Sequence, residues 1–107
     1  MRNHQLILTA CAALALSGGA FAADPAAGKE KSKACAACHG PDGNSPSPEF
    51  PHLAGQHYDY LVKALNDYKS GARKNAIMAP LAAPLSRRDI SDLAAFYSRQ
   101  KGLYVKY

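Results

Sequence analysis

Cys35-Ala36-Ala37-Cys38-His39 places two thiols three positions apart and an imidazole directly after the second. This C-x-x-C-H pattern is the one by which haem is attached covalently. Each thiol can add across one haem vinyl group to form a thioether, and the adjacent imidazole then serves as the proximal ligand of the iron. Residues i and i+3 lie on one face of a helical turn. Both sulfurs can therefore reach the same porphyrin edge while residue i+4 points towards its centre.

A haem iron so held has a second axial position. Met78 is the sole methionine besides Met1, stands about forty residues after His39, and lies in an Ala/Pro-rich stretch. A lone methionine usually packs. Beside a C-x-x-C-H motif, its thioether is read as the distal ligand that completes a His39/Met78 iron and raises its potential. His52 and His57 are the competing distal ligands. They also make a rival constellation, because Cys35, Cys38, His52 and His57 have the spacing of a zinc finger, with thirteen residues before the first histidine and four between the two. A Pro-rich segment stands where such a finger needs a helix. A thioredoxin-like dithiol is the other use of Cys-x-x-Cys, but it wants a βαβ context, and no period-two run of strand length is present.

The chain begins with the marks of export. Arg2 is a short basic region, Gln5 to Leu16 is almost unbroken apolar sequence, and Ala20-Phe21-Ala22 has the small-x-small pattern of a cleavage site. Residues 1–23 are read as a secretory signal peptide cut after Ala22 or Ala23, which leaves residues 24–107 as one domain bound for the periplasm. Leu8-Thr9-Ala10-Cys11 also resembles a lipidation box, although the apolar run before Cys11 is short. The exported protein keeps Cys35 and Cys38, a pair too close in sequence for a structural disulfide to gain much from loop closure. A domain of this size has a marginal apolar core, and covalent haem c would be its staple.

The net charge of +5 falls by one with Arg2. This modest excess favours acidic docking partners or a membrane surface through steering. No dense Lys/Arg block interleaved with aromatics speaks for nucleic acid.

Helices are expected at three places. Asp24-Pro25 is an N-cap followed by Pro at the first helical position, and a helix is expected from Ala26 to Ala37 so that the haem motif closes it. Gly28 within it costs roughly 1 kcal/mol relative to Ala. Gly40 to Gln56 is a Pro-rich loop suited to wall the proximal side. Tyr58, Leu61, Val62 and Leu65 fall on one helical face that extends to about Ser70 and stops at Gly71. A second loop is expected from Gly71 to Leu85. Ser86 with Asp89 three positions on starts a last helix, with Ile90, Leu93, Ala94 and Tyr97 on one face, ending near Gly102. The tail Leu103 to Tyr107 carries little signal.

Gly28, Cys35 to Gly40, Asp42-Gly43-Asn44, Leu53-Ala54-Gly55-Gln56, Tyr60-Leu61, Lys69 to Arg73 and Met78-Ala79-Pro80 together resemble a class I c-type cytochrome. The likeness is to a single-haem unit of the bacterial periplasmic cytochrome c4/c5 group and covers essentially residues 24–107. It implies an all-α small cytochrome c fold, three to four helices around one haem c, with the first and last helices crossing. Gly28 would sit at that crossing beside Phe96 or Tyr97. The resemblance also implies an electron carrier, not an enzyme, that works between partners such as a quinol-oxidising complex and a terminal oxidase or reductase, as a monomer. Propionate partners are sought among Gln56, Tyr60, Arg73 and Lys74, since the chain has no tryptophan. Two rival functions follow from the same residues: an enzyme in which Met78 is labile, and a haem subunit docked permanently to a larger oxidoreductase.

Overall fold

Asp24 starts the first helix with its carboxylate, whose Oδ1 accepts the N–H of Ala26 at 2.9 Å and of Ala27 at 3.3 Å. Pro25 takes the first helical position, where a missing N–H costs nothing. The computed structural model describes residues 22–103, and residues 1–21 of the proposed signal peptide, Cys11 among them, and residues 104–107 lie outside them. Helix α1 spans Pro25–Lys31. The helix expected to run unbroken to Ala37 is in three pieces: α1, a 3-10 turn over Ser32–Ala34, and a short helix α2 over Ala36–His39. Ser32 supplies a reason. Its hydroxyl donates to the Lys29 carbonyl at 2.7 Å, a local bond that competes with the helical ladder.

Helix α3 covers Tyr58–Ser70 as the periodicity predicts, and Gly71 in the left-handed conformation closes it. A short helix α4, Met78–Ala82, then forms inside the segment expected to be loop. Pro80 marked that segment as irregular. It is the third residue of α4, directly after Ala79, whose N–H already bonds the Asn75 carbonyl at 2.9 Å, so its missing N–H takes one bond out of an already short helix. Helix α5, Arg87–Ser98, opens with a reciprocal box: Ser86 Oγ accepts from Asp89 N at 3.0 Å and Asp89 Oδ2 from Ser86 N at 2.9 Å.

Among the described residues the fold is helical and has no strand. Helix α5 is its axis, with α1 and α3 packed against it and α4 laid on α3. Leu61, Leu93, Ala94, Phe96 and Tyr97 form the buried cluster, and Cys35, Leu53, Val62, Leu65 and Leu85 pack on its margin. The face expected for the last helix, Ile90, Leu93, Ala94 and Tyr97, is buried, and α5 buries Asp92, Ala95 and Phe96 beyond it.

The α1–α5 crossing is very close. A Cβ on Gly28 would lie 2.0 Å from the Asp92 carbonyl oxygen and 2.9 Å from Phe96 Cβ, so the helix backbones meet where position 28 has no side chain. Phe96 is thus the aromatic at the crossing, while the Tyr97 ring lies against Gly43. The same contact buries a carboxylate that periodicity did not single out. Asp92 is 2% exposed and both its oxygens are engaged, Oδ1 by the Asp24 N–H at 2.8 Å and Oδ2 by Lys31 Nζ at 2.7 Å. Lys31 also reaches Asp89 at 3.0 Å.

Two outcomes follow from this crossing. Gly28→Ala must push backbone off backbone, so it should lower stability by about 1–3 kcal/mol or more in denaturant titration. Burial acts to raise the Asp92 carboxyl, but the bonds from Lys31 and Asp24 outweigh it and hold the group below its ordinary value. A carboxyl depressed in the folded state stabilises above its unfolded value, about pH 4, and that contribution is lost as pH falls through the folded value. Asp92→Asn should cost about 1.5–3 kcal/mol at neutral pH. The difference between the two proteins should shrink on acidification below about pH 4, read from urea midpoints at each pH.

Candidate functional site

The thiols and the imidazole come together through one turn of backbone. Cys35 is the residue before α2, and its carbonyl accepts the N–H of Cys38 at 3.3 Å and of His39 at 3.0 Å. Cys35, Cys38 and His39 are thereby held within a single helical turn. Both cysteines are free thiols and half-buried.

His39 is 6% exposed, and its Nδ1 lies 2.9 Å from the carbonyl oxygen of Pro51. A carbonyl only accepts, so Nδ1 carries the proton in this contact. Nε2 is then left with its lone pair, the form in which an imidazole ligates a metal. The Pro51 carbonyl is itself fixed by the surrounding loop. Gly43 O accepts from Leu53 N at 2.8 Å and Ala54 N at 3.2 Å, and Gly55 N donates to Tyr97 O at 2.9 Å. Asn44 Nδ2 donates to Lys101 O at 2.8 Å, which ties the loop to the chain beyond α5.

The Cys35 thiol lies beside Tyr97. Burial pushes that thiol above its ordinary value, partly opposed by the Tyr97 hydroxyl, and burial likewise raises Tyr97. The Tyr97 hydroxyl is buried with no conventional hydrogen bond, and the neighbouring sulfur is a weak acceptor whether thiol or thioether.

Met78 is half-buried at the start of α4, on an element separate from α2. Its backbone N–H donates to Asn75 Oδ1 at 2.9 Å. His52 and His57 are both exposed. Among the described residues no three of His, Cys, Asp and Glu gather as a metal cluster, so Cys35, Cys38, His52 and His57 do not form the finger that their spacing allows. Arg73 donates to the Tyr60 hydroxyl at 3.3 Å and stacks its guanidinium 4.7 Å from the Tyr68 ring centroid. Gln56 Oε1 accepts from His57 N at 2.8 Å, and Lys74 is exposed.

Two positioning groups escaped the sequence reading. The Pro51 carbonyl has no residue-type signature, because any residue brings a carbonyl. Asn75 did carry a signal, since asparagine shortly before a short helix is a preferred capping residue. The donor set as a whole fits haem c: two unpaired thiols one turn apart, and a buried imidazole whose Nδ1 is occupied and whose Nε2 is left to ligate.

The family model described as Cytochrome c matches residues 25–99. Cytochrome c4 of Pseudomonas aeruginosa is 46% identical over 99 residues, which are 92% of this chain and 49% of that protein. Cytochrome c-554(548) of Halomonas halodenitrificans is 46% identical over 83 residues, covering 75% of this chain and all of that one. The crystal structure of reduced recombinant cytochrome c4 from Pseudomonas stutzeri superposes with a TM-score of 0.73 at 47% identity, over 77% of this chain and 48% of that chain. This chain belongs to the cytochrome c family. It shares the small all-α fold of the cytochromes c4 and spans about half the length of those relatives. The cofactor of this family is covalently bound haem c with its iron, and Cys35, Cys38 and His39 form the matching C-x-x-C-H motif.

Proposed function

We propose that this chain is a monohaem electron carrier of the periplasm, exported by residues 1–23 and folded over residues 24–107, which relays single electrons between respiratory redox proteins. The buried His39 ring, its Nδ1 committed to Pro51 and its Nε2 left to ligate, carries the reading. Haem c supplies a one-electron iron couple when bound. Cys35 and Cys38 would hold it as thioethers, and His39 and Met78 would ligate its iron. With both ligands supplied by the protein, the iron would offer no site to a substrate, and the chain would do no bond chemistry of its own. The carbonyl of Pro51 keeps the imidazole oriented and raises its basicity as a ligand.

The surface beside Met78 supports transient docking. Ile77 and Leu81 are 58% and 46% exposed, and Pro80 and Pro84 lie in the same exposed apolar stretch. Lys74 adds positive charge nearby, so a partner with an acidic rim around an apolar centre fits best, such as a quinol-oxidising complex on one side and a terminal oxidase or reductase on the other. Lys33 is paired with Glu30 at 2.7 Å and contributes less to such steering. Among the described residues no helix is long and apolar enough to cross a membrane.

Absorption spectroscopy of the exported protein tests the reading. The wild type should show a low-spin reduced spectrum, haem that stays with the denatured chain, and a weak red band from sulfur-to-iron charge transfer. Met78→Ala should lose that band and lower the potential by a few tenths of a volt, within the roughly 0.8 V that axial ligands span. Haem-free protein from a host with working maturation machinery would sink the assignment.

A further inference from the structure

The segment that delivers Met78 is tied to α3 at Arg73, whose N–H donates to Asp67 O at 3.0 Å and whose guanidinium lies against Tyr60 and Tyr68, and from there to α4 it has few other contacts. Residues 71–77 are exposed throughout, and α4 is five residues long, well short of a length that is stable by itself. Pro80 contributes no N–H to it. The bonds that define its start converge on one side chain. Asn75 Oδ1 accepts the N–H of Ile77 and the N–H of Met78, each at 2.9 Å. The Asn75 carbonyl accepts from Ala79 N at 2.9 Å, the first helical bond of α4. Both partners of the side chain are donors, so the amide is oriented with its oxygen towards the helix. At the far end, Ala83 N donates to Ala79 O at 3.0 Å and Leu85 N to Ala82 O at 3.1 Å, and α4 rests on α3. Asn75 therefore anchors the Met78 backbone at the end of α4 that follows the exposed segment.

We propose that Asn75 is the positioning residue for the distal ligand: by capping α4 through the Ile77 and Met78 N–H groups, it holds the Met78 thioether on the iron and sets how readily an outside ligand displaces it. The proposal rests on the reading of Met78 as axial ligand. Removing the cap frees two N–H groups to water and lets the first turn of α4 open, carrying Met78 with it. The helices around the crossing of α1 and α5 make no use of Asn75 and stay folded.

Imidazole titration of the ferric haem-loaded protein tests this, because imidazole binds iron only from molecules in which Met78 has left. Asn75→Ala should tighten apparent imidazole binding about fivefold, the ratio that corresponds to a typical helix cap. Its red sulfur-to-iron band should weaken in parallel. Asn75→Ser, which retains a capping oxygen, should return both towards the wild-type values. Asp24→Ala removes the cap of α1 instead, and it should lower the unfolding midpoint while leaving imidazole binding unchanged. If Asn75→Ala does not accumulate with haem, Asn75→Gln, which displaces the amide by one methylene, is read in the same way. Imidazole binding equal to wild type in the capless variant would overturn the proposal, and so would an equal shift in Asp24→Ala, since displacement would then follow overall stability. A wild type without the sulfur band would overturn the ligand assignment beneath it, an outcome seen before any variant is made.

Discussion

The contact between Gly28 and the Asp92 carbonyl governs the rest of the molecule. Where a Cβ would come within 2.0 Å of that oxygen, α1 and α5 lie backbone to backbone. The short distance brings the Asp24 N–H and the Lys31 ammonium onto one buried carboxylate. The three-piece helix leading to His39 grows directly out of α1, so the position of the haem motif is inherited from this crossing. A buried charge is costly unless its lone pairs are occupied. Here each oxygen of Asp92 has a donor, so the crossing adds a directional lock to its packing.

The proximal side is built from backbone more than from side chains. The Pro51 carbonyl that orients His39 belongs to a loop without regular structure, yet Gly43, Ala54, Gly55 and Asn44 bond that loop to itself and to the end of α5. Rigidity in such a loop comes from paired amides and from the restricted φ of its prolines. The Met78 segment differs. Met78 sits on five residues of helix between an exposed segment and a turn. Firm support of His39 and a lightly held Met78 are therefore separate properties of this fold.

The apolar interior is modest. Ala54, Ala82, Ala94 and Ala95 are among its buried residues, alongside Leu61, Ile90, Leu93, Phe96 and Tyr97. Alanines bury little area each, so a domain of this length draws on other sources of cohesion. Covalent attachment of a large planar cofactor is such a source. It also explains why two half-buried thiols stand unpaired at the margin of the cluster.

The attachment chemistry was legible in the sequence because it depends on residue type and short spacing: Cys35, Cys38 and His39 form the C-x-x-C-H motif. The caps at Asp24 and Ser86, the stop at Gly71 and the faces of α3 and α5 were legible for the same reason, since each is a local event. The break of the first helix at Ser32 and the start of α4 were also local, but they turned on single side-chain bonds that a Pro or a run of helix formers outweighs in any pattern. Only the tertiary structure decided that Phe96 and not Tyr97 faces Gly28, that Asp92 is buried with two donors, and that the carbonyl of Pro51 fixes the tautomer of His39. Those contacts join residues far apart in the chain, or use backbone atoms that every residue has. Periodicity along one segment carries no information about them.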